Sequence, residues 1–200
     1  METLLDSRAI LSVSPHVLGA VRNTECNLAV WERQSDPSFA TLLCDDCDDV
    51  RFAAPLAGLE ARLRSELEKA GYPETAERAA LIADIVDLAE QYSAIMELDA
   101  ISVRLALVTT NSCRKFHGDY VKARLITTYI GTGTQWLDTE DANRVARGEQ
   151  PLRIQKLTAG DVGLFKGKMW TQSPAIHRSP PIEGTDQTRL MLVLDPPRPA

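Results

Sequence analysis

The hydrophobic period of this chain changes at residue 100, and that change limits the folds it can adopt. Before it, Leu56, Leu59, Leu63 and Leu67 recur at steps of three and four with charged residues between them, which predicts a helix over 56–70. Gly71 and Pro73 stop it. A second helix is predicted over 74–98, with Leu81, Ile82, Ile85, Leu88, Ala89, Tyr92 and Ile95 on one stripe. After residue 100, Ile101, Val103, Leu105 and Leu107 alternate with Ser102, Arg104 and Ala106, as in a half-buried strand. Further strands are expected over 125–130, 161–165, 176–177 and 189–194, with a short polar helix over 141–147 inserted among them. Helices first and short strands afterwards predict a single α+β domain over 1–200. A mainly helical part, 1–99, should buttress a double-stranded β-helix (jelly-roll, cupin-like) core over 100–195. Residues 1–54 yield only a short apolar run, 27–31, before Pro37 and a Cys/Asp-rich loop break the pattern.

Composition narrows the partners. A hydrophobic content of 44% is enough for a sizeable core in one domain. The net charge of −6 argues against nucleic acid or an anionic membrane as the main partner, though a negative protein can still hold a positive pocket for a small anion. No apolar stretch approaches the ~20 residues that span a bilayer. Met1-Glu-Thr-Leu-Leu-Asp6 has no basic region ahead of its apolar residues, so it does not read as a signal peptide, and a cytoplasmic protein is expected. Cys44-Asp-Asp-Cys47 lacks a second pair to complete a zinc site. Its flanking acids should raise the thiol pKa values, so an exposed acidic loop is expected there. Cys26 and Cys113 read as packing groups.

Three residues of the strand-rich half stand out. His117 and Asp119 lie at i and i+2, which on an extended segment puts both side chains on one side, and His177 follows on a later strand. Two imidazoles and one carboxylate on one face of a metal leave three coordination positions open, the ligand set of non-haem Fe(II) oxygenases. Arg189, on the apolar run 189–194, supplies a fixed positive charge able to grip the far carboxylate of an acid co-substrate. Each has a plainer counterpart. His117 reads equally as a loop histidine, His177 as a satisfied core or surface histidine, and Arg189 as the partner of Glu183 or Asp186. Arg124 reads as a structural ion-pair residue, with a pocket role as its alternative. Tyr129 and Trp136 are either core aromatics or pocket lining.

The stretch Phe116-His-Gly-Asp-Tyr120 followed by Arg124-Leu-Ile-Thr-Thr-Tyr129 resembles the first metal-binding half of Fe(II)/2-oxoglutarate dioxygenases such as prolyl hydroxylases. Ala159-Gly-Asp-Val-Gly-Leu-Phe-Lys-Gly167, His177-Arg-Ser-Pro-Pro181 and Arg189-Leu-Met-Leu192 resemble the second half, in the same order. Cys113-Arg-Lys-Phe-His-x-Asp, Thr127-Thr-Tyr129 and His177-Arg-Ser-Pro-Pro181 are closer still to a bacterial family, domain of unknown function 1826. The dioxygenase resemblance implies Fe(II) on His117, Asp119 and His177, with 2-oxoglutarate as co-substrate and Arg189 on its distal carboxylate. Leu190-Met191 stands where many dioxygenases carry a serine two residues after the arginine, so the hydroxyl of Thr127 or Tyr129 is the expected substitute. Trp136 and Arg124 are the candidates for a substrate pocket. The alternatives are a non-catalytic cupin-like protein that handles zinc, and a small-molecule-binding module.

Overall fold

The computed structural model describes residues 8–44, 46–111 and 113–197; the N-terminal Met1 to Asp6 stretch, Asp45 of the acidic loop and the end of the proline-rich tail, 198–200, lie outside them. Ten strands and three α-helices follow in the order β1 (Ala9–Ser12), β2 (Leu28–Trp31), β3 (Val50–Pro55), α1 (Leu59–Lys69), α2 (Ala76–Met96), β4 (Ala100–Val108), β5 (Ala123–Ile130), β6 (Gln135–Trp136), α3 (Thr139–Ala146), β7 (Gln155–Lys156), β8 (Val162–Lys166), β9 (His177–Arg178) and β10 (Arg189–Asp195). Two 3-10 segments, Pro15–Arg22 and Pro37–Leu42, separate the first three strands. Seven strands form one sheet in the order β1-β2-β8-β5-β10-β4-β3, and β7-β6-β9 form a second. The molecule is therefore α+β. Among the described residues no helix is long and apolar enough to cross a membrane.

The two faces of the large sheet have different duties. On one, Leu190, Leu192 and Leu194 of β10 join Leu125 and Tyr129 of β5, Val103 and Leu105 of β4, and the buried stripes of α1 and α2 in a single core. Thr75 caps α2 by accepting from the Arg78 amide, and Gly71, at φ +83, ends α1 in the left-handed conformation. On the opposite face, Ile126, Phe165, Met191 and Val193 pack against Trp136, Leu157, Ala175 and Ile182 of the small sheet and its loops. β10 is buried on both faces, which is why it reads as an unbroken apolar run. Leu63 and Ile85 are fully buried in the helix-side core. Leu63→Ala and Ile85→Ala should each lower stability by about 2–5 kcal/mol in urea unfolding. A loss below ~0.5 kcal/mol, the usual surface value, would mean that the helices are not part of the core.

The expected split into a helical 1–99 and a strand core 100–195 does not hold for the sheet. β1, β2 and β3 come from the first part, and β3 forms one edge by pairing with β4. β1 and β2 have four residues each and a 3-10 segment lies between them, so neither develops a readable alternation. Two cysteine expectations also change. Cys44 and Cys47 are joined by a disulfide rather than free in an acidic loop, and Cys113 is exposed rather than packed. Cys26 is buried.

Candidate metal centre

His117 lies outside the named strands, at a single antiparallel bridge to His177, and the two residues exchange backbone hydrogen bonds of 2.9 and 3.0 Å. That bridge fixes both rings, whose centroids are 4.9 Å apart, and Phe165 of β8 packs against the His177 ring at 4.6 Å. Gly118 separates His117 from Asp119 because Pro174 fills the space on its outer side; a Cβ there would lie 2.8 Å from Pro174 Cγ. The donor atoms of His117, Asp119 and His177 all lie within 4.8 Å of one another. His177 Nε2 is 3.2 Å from Asp119 Oδ2 and His117 Nε2 is 3.6 Å from Asp119 Oδ1.

Neighbouring groups orient each of these side chains. His117 Nδ1 is 2.8 Å from the Lys115 carbonyl and His177 Nδ1 is 3.1 Å from the Ala175 carbonyl. A carbonyl only accepts, so each Nδ1 carries a proton, which leaves Nε2 as the nitrogen that a neutral ring would offer to a metal, the usual arrangement behind a metal-binding imidazole. Arg124 donates to Asp119 Oδ1 at 2.7 Å and grips Asp195 with two further bonds of 2.7 and 2.8 Å. Asp119 Oδ2 is left buried with no hydrogen-bond partner. Burial alone would raise the Asp119 pKa, but the two imidazoles, which donate to the carboxylate whenever Nε2 carries a proton, and the Arg124 charge outweigh it and hold the carboxyl far below its usual range. The same contact with Asp119 raises the His117 pKa, against the opposing effect of burial. A buried, ionised carboxylate with one orphan oxygen beside two imidazole lone pairs fits a divalent cation. Arg124→Gln should weaken metal binding by about 10–100-fold in a chelator competition. Unchanged affinity would limit Arg124 to a structural ion pair.

Arg189 is 0% exposed, and among the described residues its guanidinium meets no carboxylate. It donates instead to Thr132 O at 2.6 Å, Ser179 Oγ at 3.0 Å and Thr128 Oγ1 at 3.2 Å, with Met191 Sδ at 3.7 Å. Burial pulls its pKa down to about 10. Neither surface acid is its partner; Glu183 accepts from Asn111 instead. Arg189 projects on the same sheet face as Met191, Val193 and Phe165, the face that carries His177. The segments around the ligands add charge. Arg114, Lys115, Lys122 and Lys168 are exposed and make no ion pair among the described residues, and Lys168 hydrogen-bonds through its amide to Asp119 O.

Two of the expected co-substrate groups are displaced. Tyr129 turns to the helices, where its hydroxyl bonds Asp84 Oδ2 at 2.7 Å and its ring meets Phe39, and Thr127 shares that face. The hydroxyls that reach Arg189 belong to Thr128 and Ser179. Both faces of β5 are buried, so the sequence alone leaves the parity of its side chains undecided. Trp136 pairs with His177 in register and packs between the sheets, and Arg124 acts on Asp119. Arg178 turns away to stack on Phe116 at 4.2 Å.

The chain has low-identity likenesses among solved structures. One is a Pseudomonas putida prolyl-4-hydroxylase, at 12% identity and a TM-score of 0.45, with 92% of this chain and 98% of that chain covered. Another is the Arabidopsis thaliana dioxygenase for auxin oxidation in its 2-oxoglutarate complex, at 10% identity and 0.44, with 76% and 64% covered. The rice dioxygenase for auxin oxidation follows at 16% identity and 0.43, with 78% and 60% covered. The chain thus spans less than two thirds of the length of the two plant proteins. Likenesses this distant transfer neither activity nor substrate. No curated protein matches the chain. Residues 12–195 match the family described as protein of unknown function (DUF1826), and the chain belongs to that family.

Proposed function

We propose that this protein is a non-haem Fe(II)-dependent oxygenase that uses 2-oxoglutarate, built on a jelly-roll in which the small sheet covers the site face of the large one. The observation that carries the reading is the pairing of a His117–Asp119–His177 cluster with a fully buried arginine that has no acidic partner among the described residues. A buried guanidinium without a counter-ion is costly unless an anion completes it, and a small dicarboxylate bound at the metal would do so. Iron, when bound, would supply the oxygen-activating redox chemistry.

The side chains would perform the remaining tasks. The Lys115 and Ala175 carbonyls keep both imidazoles in the tautomer that ligates through Nε2. Arg124 holds Asp119 ionised and turned so that Oδ2 faces His177 and Oδ1 faces His117. Arg189, with the hydroxyls of Thr128 and Ser179 beside it, offers a planar fork to a carboxylate. Phe165 excludes water from one side of His177.

The same two-histidine, one-carboxylate set also suits Zn(II), which gives the second reading, a protein that handles zinc without turnover. Metal analysis of protein purified without oxygen, followed by an assay of 2-oxoglutarate consumption in air, separates them. Iron with consumption supports the oxygenase. Tightly held zinc with no consumption replaces it.

A further inference from the structure

Acidic residues are spread along this chain except around the metal centre. Residues 109–137 and 162–182 hold seven lysines and arginines and a single acid, Asp119, where 28 acids in 200 residues would place about seven. Seven minus one leaves these stretches at +6, within a chain of −6. Three of the cations are committed: Arg124 to Asp119 and Asp195, Lys166 to the Asn23 carbonyl, and Arg178 to Gln135 and the Phe116 ring. The other four, Arg114, Lys115, Lys122 and Lys168, are exposed and without an ion pair among the described residues. Backbone bonds gather them at one rim. The Gly167 and Lys168 amides donate to the Lys122 and Asp119 carbonyls at 2.7 and 2.8 Å, and the Ser179 amide donates to the Cys113 carbonyl at 3.1 Å. Arg114 and Lys115 therefore flank the ligand segment at one end, and Lys122 and Lys168 at the other.

The form of the rim selects its partner. Four solvated cations on separate backbone segments do not converge as a small anion would require, and the buried cation suited to that task is Arg189. They suit charges strung along an extended chain and met one at a time. Apolar side chains lie among them: Tyr120 is 82% exposed, Met169 58% and Trp170 38%, and the Met169 amide donates to the Val121 carbonyl at 3.1 Å. Exposed tyrosine, tryptophan and methionine are the residue types that protein-binding surfaces favour. A nucleic acid, with a phosphate at every step, would run past the rim into the acidic remainder of the surface, whereas a short acidic stretch of polypeptide ends within it. We propose that the rim of the metal centre docks an acidic segment of a partner polypeptide, with its carboxylates on Arg114, Lys115, Lys122 and Lys168. Docking itself needs neither metal nor co-substrate. That the docked segment is also the one oxidised rests on the oxygenase reading.

Fluorescence anisotropy of a labelled peptide of alternating glutamate and leucine, titrated with the full chain at low salt, tests the docking. A lysine–leucine peptide and an oligothymidylate of equal length serve as comparisons. The glutamate peptide alone should bind saturably, and more weakly as salt rises. Arg114→Glu, Lys122→Glu and Lys168→Glu combined should weaken it at least about 10-fold. Arg51→Glu, on edge strand β3 four strands from β8, should leave it unchanged. Lys122→Gln with Lys168→Gln, a milder pair of surface changes, should weaken it about 3-fold and serves if the charge-reversed protein does not fold. The titration contains no iron and no 2-oxoglutarate, so its failure and a failed oxygenase assay are separate results. No saturable binding of the glutamate peptide, tighter binding of the oligothymidylate, or parental affinity in the rim variants overturns the proposal.

Discussion

Asp119→Ala and His177→Ala are each expected to lower divalent-metal affinity by on the order of 100-fold or more, because three converging ligands act as one preformed site. The cluster is compact, with all its donor atoms within 4.8 Å, so no other protein atom named at the site replaces a lost ligand. The linked stability should fall too. If metal is present at 100 times its Kd, about 2.7 kcal/mol of stabilisation accompanies it and disappears with the site. Asp119→Ala also deprives Arg124 of one partner, although Asp195 still holds two of its nitrogens. Asp119→Asn keeps that shape and removes the charge, so it isolates the ligand's contribution. Metal analysis after dialysis, with His117→Ala alongside, reads the result. Wild-type metal content in any two of the three alanine variants removes the shared site.

Arg189→Ala should keep the metal and lose most of the affinity for 2-oxoglutarate, by about 2–4 kcal/mol, which is roughly 30- to 1000-fold in Kd. The size follows from burial. A carboxylate brought against a fully buried guanidinium is desolvated, and without the arginine it has only the Thr128 and Ser179 hydroxyls. Arg189→Lys should recover part of the loss, since a single ammonium cannot make the paired bonds of a planar fork. Isothermal titration with an inert divalent ion bound separates this from turnover. Unfolding curves for both variants separate it from collapse, because Arg189 also ties β10 to Thr132. Full 2-oxoglutarate affinity in Arg189→Ala would show that this arginine is structural.

Much of this was legible because the relevant signals are local. The helical stripes and the alternation after residue 100 need only a few residues each, and they become α1, α2 and β4 to within a few residues at each end. His117 and Asp119 are two positions apart in an extended stretch, so their shared side follows from backbone geometry. Arg189 stands out as a charge on an otherwise apolar strand. What stayed hidden depends on parity or on distant partners. Thr128 rather than Thr127 reaches Arg189 because of the register of β5 against β10, which slips between Leu190 and Met191. Ser179 arrives from the loop after β9, and Asp195 joins Arg124 from the far end of β10. β1 and β3 were illegible, and β2 showed only as the short apolar run 27–31, because strands of four to six residues, separated by 3-10 turns, carry too few periods to show an alternation.

The central claim is that one metal on His117, Asp119 and His177 and one 2-oxoglutarate on Arg189 share a site. Anaerobic titration of the Fe(II)-loaded protein with 2-oxoglutarate, followed by visible absorbance, tests it most directly. The account predicts a saturable charge-transfer band at about one 2-oxoglutarate per chain, absent in His177→Ala and shifted to much higher concentration in Arg189→Ala. No band with the parent protein, or a band that survives loss of His177, would contradict it.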